Sequence, residues 1–370
     1  GLAEDRPGVS MMKATQPGMA VLLLALCASA ADKLTGGNGT IYVGGRPNKI
    51  FILDEATEKV TGEIECKTGT PTGLELSEDR KRFYVHNIAF EDIEIVDIAS
   101  RKSIDNFRLS EGNKKMRIFG YDADPLNRFM ILMVKTATKQ VDRFEIGPPT
   151  LLQYDLKDHK VMRTVPWPKG EEREGVGLRF SPDGKFLYFF GEDILVYDTT
   201  DFKQVDKWEL SRPLEDGLGR FNFGFPNDLN EEPGYSTSIF NIEDAVQNRR
   251  IMGIARVNLT QKSVDFYPLG PSTGVSFSLA PGRKWAYGLH QEIGKYEFWS
   301  FDLEHRKLGT KLEFPGRPRM QLKVSTNGKL LYLCGAGNTI ALYDASNYQY
   351  LRTITLDADM TTGLYVMPAR

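Results

Sequence analysis

The chain has little cysteine, little histidine and no catalytic signature. Of its 370 residues only three are cysteine and four are histidine. That excludes a disulfide-dense scaffold and leaves one bridge, Cys66 to Cys334, to consider outside the leader. There is no C-x-x-C-H, so no c-type haem attaches here. G-x-S-x-G, P-loop, H-E-x-x-H and EF-hand patterns are also missing. A formal net charge of −2 and a pI near 6.2 give no electrostatic footprint for nucleic acid. The longest apolar run, Met19–Ala28, is too short for a stable membrane anchor.

That run has a different use. Lys13 precedes it and Ala28-Ser29-Ala30 follows, which together have the form of a secretory signal peptide. The expectation is a cleaved leader over 1–30 and a periplasmic or secreted domain over 31–370. Residues 1–11 read as sequence upstream of a start at Met12. Leu26 before Cys27 is not the small residue that lipoprotein processing requires, so lipidation is not expected.

Seven short apolar runs each end in Asp or Asn before a turn. They are Ile50–Asp54, Ile93–Asp97, Leu151–Asp155, Ile194–Asp198, Ile254–Asn258, Phe298–Asp302 and Ile340–Asp344. Successive markers lie 42–44 residues apart, with two gaps of 58 and 60. A period of about 40–45 built from short strands marks an all-β fold, a seven-bladed β-propeller of four-stranded antiparallel blades. One repeat shows the unit, strands a to d from the axis outward: Val176–Phe180, Phe186–Phe190, Ile194–Asp198 and Val205–Leu210. Ser181-Pro182-Asp183-Gly184 turns a into b, and related turns recur at 77–80, 280–283 and 325–328. The marker carboxylates are expected to cap the c–d turns rather than to bind ligands.

The first repeat opens on a b-like strand, Thr40–Val43, with no a strand before it. The C-terminal Thr362–Met367 resembles the a strands Thr72–Leu76 and Thr273–Ser278. It is therefore expected to complete blade 1 and close the ring, removing open sheet edges. Cys66 then falls on an outer strand and Cys334 on an inner one, which disfavours a bridge. The glycine-rich Gly36–Gly39 does not sit between a strand and a helix, so it is not read as a phosphate cradle.

The two long gaps place insertions in blades 3 and 5, over Lys135–Pro149 and Phe225–Arg250. Both b–c connections are expected on one face with the d–a connections, where a rigid scaffold gathers functional loops. The candidate docking residues there are Lys135, Arg143, Phe144, Arg249 and Arg250. Arg117 and Arg319, before blades 3 and 7, extend this into a positive collar with Lys114, Lys115, Arg173, Arg220 and Arg317. His86 and His290 end their b strands on the same face and read as packed or interface residues. Blades 2 and 6 are too far apart for a shared metal. Glu91, Asp92 and Glu94 read as a solvated loop, and His159 and His305 as solvated turn residues. The a strands carry Glu75, Arg179 and Lys323, with no repeated Asp, Asn or His to hold an axial metal. No catalytic, cofactor-binding or metal-binding residue is assigned.

The insertion pattern, with Val324–Asp344, Lys135–Asp155, Asn227–Tyr235 and Arg249–Asn258, resembles the β subunit of quinohemoprotein amine dehydrogenase. The heavy chain of methylamine dehydrogenase is a more distant likeness. The resemblance implies a periplasmic propeller with no redox centre of its own. It would be a docking platform and cavity wall for a small subunit bearing cysteine tryptophylquinone and for a di-haem cytochrome c subunit. The complex would oxidise primary amines to aldehydes. Two alternatives remain open. One is a free-standing propeller of the YVTN kind, which Ile41-Tyr42-Val43-Gly44 and Phe83-Tyr84-Val85-His86 resemble loosely. The other is a propeller lactonase with an axial metal.

Overall fold

The computed structural model describes residues 32–370 apart from 174, 176, 214 and 215. The expected leader over 1–30, with Cys27, lies outside the described residues. Seven antiparallel sheets follow one another along the chain. Blades 2 to 7 each run a-b-c-d in sequence order. Blade 4, for example, is Gly177–Phe180, Phe186–Phe190, Ile194–Asp198 and Gln204–Trp208. Strands b and c are apolar on both sides because each blade packs on two neighbours. In blade 1, Ile50, Phe51, Ile52 and Leu53 are all buried. Strand d is the outer edge and carries the charge; in Lys307–Glu313 every residue is exposed or half-exposed.

Seven apolar clusters hold the ring, and each joins one blade to the next. The cluster between blades 7 and 1 packs Tyr332, Ile340 and Leu342 against Ile41, Phe51 and Leu53. Closure is completed by Tyr365–Met367, which pairs with Thr40–Gly45 as the innermost strand of blade 1. A second clasp lies beside it. Glu55 is fully buried and accepts hydrogen bonds from Gly39 N (2.9 Å), Thr326 N (2.9 Å), Tyr332 Oη (2.9 Å) and Thr326 Oγ1. The glycines of Gly36–Gly39 serve this contact, since a Cβ at Gly36 would sit 2.0 Å from Tyr332 Oη.

All seven marker side chains cap their turns. Asp54 accepts Thr57 N at 2.9 Å, Asp97 accepts Ser100 N at 2.7 Å and Asp198 accepts Thr200 N at 2.7 Å. Asp155, Asn258, Asp302 and Asp344 do the same. The residue four beyond each marker has a positive φ: Glu58, Arg101, His159, Phe202, Lys262, Arg306 and Tyr348. The turn therefore ends in a left-handed residue, which costs an L-residue roughly 1–2 kcal/mol. The capping hydrogen bonds and the flanking strands offset that cost.

Cys66 and Cys334 are free, buried thiols in different inter-blade clusters. Burial pushes Cys66 up to about 12 and Cys334 up to about 11.

Candidate functional site

Strand directions put the b–c turns and the d–a connections on one face, and the two insertions build it differently from the sequence expectation. Lys135–Pro149 is not a loop. Strand b of blade 3 continues to Lys139, turns, and pairs back through Phe144–Ile146. Strand a, Lys114–Ala123, pairs along its other edge, with Lys115 opposite Ala137 and Arg117 opposite Lys135. The result is a three-stranded tongue. Backbone hydrogen bonding makes the extension cheaper as strand than as irregular chain. In blade 5, Ile242–Arg250 is likewise mostly strand, since Tyr235–Asp244 pairs with Arg249–Asn258 along its whole length.

The tongue carries apolar side chains into solvent. Phe144 is 64% exposed, Ile146 is 66% exposed and Val141 is fully exposed. Directly opposed residues share a face, so Phe144, Ile146, Lys139, Ala137 and Lys115 form one surface. Val246 and Ile293, at the b–c turns of blades 5 and 6, are also strongly exposed. The cations of this face are exposed too, except Lys135, which is half-buried. Arg143 pairs with Asp142 (3.2 Å) and Glu145 (2.9 Å), Arg249 with Asp244 (3.2 Å) and Lys115 with Glu91 (3.6 Å). Arg117 lies over the Phe90 ring at 5.0 Å and Lys135 over Phe119 at 5.9 Å. Arg250 and Arg319 are exposed.

The histidines are not part of that surface. His86 is only 7% exposed, edge-on to Phe90 and Tyr121, and burial lowers its pKa. His290 is buried, with Nδ1 at 2.8 Å from Gly274 O. The reading of Glu91, Asp92 and Glu94 as a solvated loop is overturned for two of them. Asp92 is buried under a bidentate contact from Arg108 (2.9 and 2.7 Å), and Glu94 is buried against Lys67 N, Thr68 N and Thr68 Oγ1. Buried carboxylates need such donors. The donors come from the d–a connection 66–71 and from strand d, a pairing that the local sequence does not reveal.

The other feature is axial. Strands a of blades 2, 3 and 4 wall a cavity of about 490 Å³ with Glu75, Asp122 and Arg179 facing inward. Phe225–Gly234, the a–b connection of blade 5, lies against it. Arg179 donates to Pro226 O at 3.2 Å, Arg80 to Leu229 O at 3.0 Å and Asn230 to Leu279 O at 2.9 Å. One segment is thus tied to blades 2, 4 and 6. Glu75 accepts from Ala123 N at 3.1 Å, and Asp122 and Arg179 act on each other as opposite charges. Burial raises both carboxyls; Asp122 reaches about 7, and Glu75 is raised well above its ordinary value. Among the described residues no group of three His, Cys, Asp or Glu side chains is arranged to hold a metal ion.

No protein-family model matches the chain, and no curated protein matches it. Solved structures do. A functionally unknown protein from Desulfotomaculum acetoxidans is 13% identical with a TM-score of 0.52, covering 90% of this chain and 99% of that one. The β-propeller domain of Cps50 (Swd1) from Myceliophteria thermophila is 12% identical with a TM-score of 0.50, covering 80% and 90%. At such identities the likeness reaches the fold and no further: this chain is similar to other β-propellers, and its function rests on its own residues.

Proposed function

We propose that this chain is an exported, non-catalytic propeller subunit that docks partner chains on its b–c face. The resemblance supplies the finer reading: a quinohemoprotein amine dehydrogenase-like complex in the periplasm. The cysteine tryptophylquinone would sit in a small subunit and haem c in a di-haem cytochrome. The observation that carries the docking role is the blade 3 tongue, where Phe144 and Ile146 stand in solvent beside Lys139 and Arg143. An exposed aromatic with flanking cations on a rigid strand is the composition of an interface anchor. Burying Phe144 and Ile146 contributes roughly 1.5–3 kcal/mol each before the costs of association.

The test is purification of the tagged chain from its native host, followed by size exclusion with haem absorbance. Co-elution with a haem-bearing protein and a small cross-linked subunit is expected, and Phe144→Asp with Ile146→Asp should abolish it while leaving the melting temperature unchanged. A colourless monomer would refute the reading. The axial cavity favours a second reading, a propeller that binds a small ligand whether or not it has partners.

A further inference from the structure

The blade 3 tongue ends in an open edge. Its outer strand, Phe144–Ile146, pairs with strand b on one side, and among the described residues no strand pairs with the other. Three backbone hydrogen bonds fix which way its polar groups point. Gln140 N donates to Arg143 O and Gly147 N to Thr136 O, both at 2.8 Å, while Lys139 N donates to the far side, to Asn113 O at 2.9 Å. Antiparallel pairs alternate between bonded and non-bonded residues. Arg143, Glu145 and Gly147 therefore turn their peptide groups toward strand b. Phe144 and Ile146 turn theirs outward, so two N–H and two C=O groups line the open edge.

An exposed edge is a template for a further strand, and folded proteins usually blunt it with charge. This edge is not blunted. Its one acid, Glu145, is matched by Arg143 at 2.9 Å and by Gln140 at 3.1 Å. The two faces of the tongue differ. Phe144 and Ile146 share theirs with Lys139, Lys115 and Arg117. Lys139 and Arg117 are exposed, and among the described residues neither forms an ion pair with a carboxylate; Lys115 reaches Glu91 at 3.6 Å. A strand laid along the edge places alternate side chains on this cationic face, beside Phe144 and Ile146. Apolar and acidic side chains complement it. A second copy of this chain does not. Outward groups bond only to outward groups, so edge-to-edge pairing of two tongues would put both sets of cations on one face.

We propose that the tongue edge accepts an extended acidic strand of a partner chain. The strand joins the sheet through the backbone of Phe144 and Ile146 and presents its carboxylates to the cationic face. This rests on the docking role proposed above and names how the partner is held. In such pairings main-chain bonds supply affinity and side chains supply specificity.

The test uses the purified full chain and labelled, capped heptapeptides in fluorescence anisotropy. One peptide carries valine and glutamate in turn at its odd positions and threonine at its even ones; the control has lysine in place of glutamate. The glutamate peptide should bind at least tenfold more tightly than the control, and less tightly as salt is raised. Ile146→Pro removes the outward N–H and keeps an apolar side chain, whereas Ile146→Ala keeps the N–H and loses the side chain. The tongue itself does not use that N–H. Ile146→Pro should therefore melt as wild type does, yet weaken binding tenfold or more and by more than Ile146→Ala. If it melts early, hydrogen exchange on the wild-type chain decides: the amides of Phe144 and Ile146 should exchange freely without peptide and at least tenfold more slowly with it. Equal binding of the two peptides, a larger loss in Ile146→Ala than in Ile146→Pro, or unchanged exchange at both amides would each overturn the inference. The docking role is judged separately. An Ile146→Pro chain that still co-elutes with the haem-bearing protein leaves docking in place and overturns strand addition. A wild-type chain that binds the glutamate peptide but elutes alone from its host overturns the haem-bearing complex and leaves the strand site standing.

Discussion

Glu55 offers the sharpest test of how the ring is held. It sits in the first c–d turn, one residue beyond the marker Asp54, and its carboxylate meets blade 7 across the closure. Four donors converge on it: Gly39 N, Thr326 N, Thr326 Oγ1 and Tyr332 Oη. Glu55→Ala leaves all four without their acceptor. Stranding a buried donor costs about 1–3 kcal/mol, and breaking a buried charged cluster from one side about 3–5 kcal/mol in total. The lower part of the summed range is appropriate, because the segment 34–39 can pull away and rehydrate Gly39. For a domain of this size 1 kcal/mol corresponds to roughly 1.4 °C, so a loss of about 4–7 °C is expected. Glu55→Gln keeps the volume but points an amide at donors, and should fall between. Tyr332→Phe removes one donor and leaves three satisfied, so it should cost about 1 kcal/mol. Scanning calorimetry of the three variants decides the matter. A Glu55→Ala protein melting within 2 °C of wild type, or Tyr332→Phe costing as much as Glu55→Ala, would show that this contact does not hold the closure.

Other outcomes are fixed by the same structure. Truncation after Asp357 deletes Tyr365–Met367 and bares the edge of Thr40–Gly45; the product should aggregate, and a soluble, cooperatively melting truncate would refute velcro closure. Asp122 has an ordinary carboxyl pKa when unfolded and one near 7 when folded, so the folded state holds a proton that the unfolded state has released. Its contribution to stability is therefore lost as pH rises from about 4 to about 7. The melting temperature of Asp122→Asn minus that of wild type should grow across that window and level off above it; a flat difference would be contrary evidence. Cys66 and Cys334 should not react with a thiol reagent at pH 8 until denaturant is added, because their thiolate fraction is on the order of 10⁻³ or less.

Legibility in the sequence followed the range of the forces involved. The strand-c runs and their Asp markers could be read because burial between blades and a two-residue capping bond are both short-range and repeat seven times. The left-handed residue four beyond each marker could not. Its occupants are Glu, Arg, His, Phe, Lys, Arg and Tyr, and a backbone conformation imposed by the strands on either side leaves no common side chain. The candidate docking residues divided similarly. Arg143, Phe144, Arg249 and Arg250 lie exposed on the face where the strand count puts them. His86 and His290 do not, because neighbouring aromatic rings and the adjoining d–a connection cover them. Asp92 and Glu94 looked solvated in a polar stretch, yet Arg108 and the 66–71 connection bury them.

The sequence by itself determined the number of blades, their strand order and the closing strand. All three depend on patterns of burial and turn chemistry within about 45 residues. The tertiary structure alone decided that an insertion becomes a tongue, that Glu55 clasps blade 7, and that Glu75, Asp122 and Arg179 share one cavity. Those contacts join residues of different blades, and they are specified by how the blades are arranged about the axis, which no local periodicity encodes.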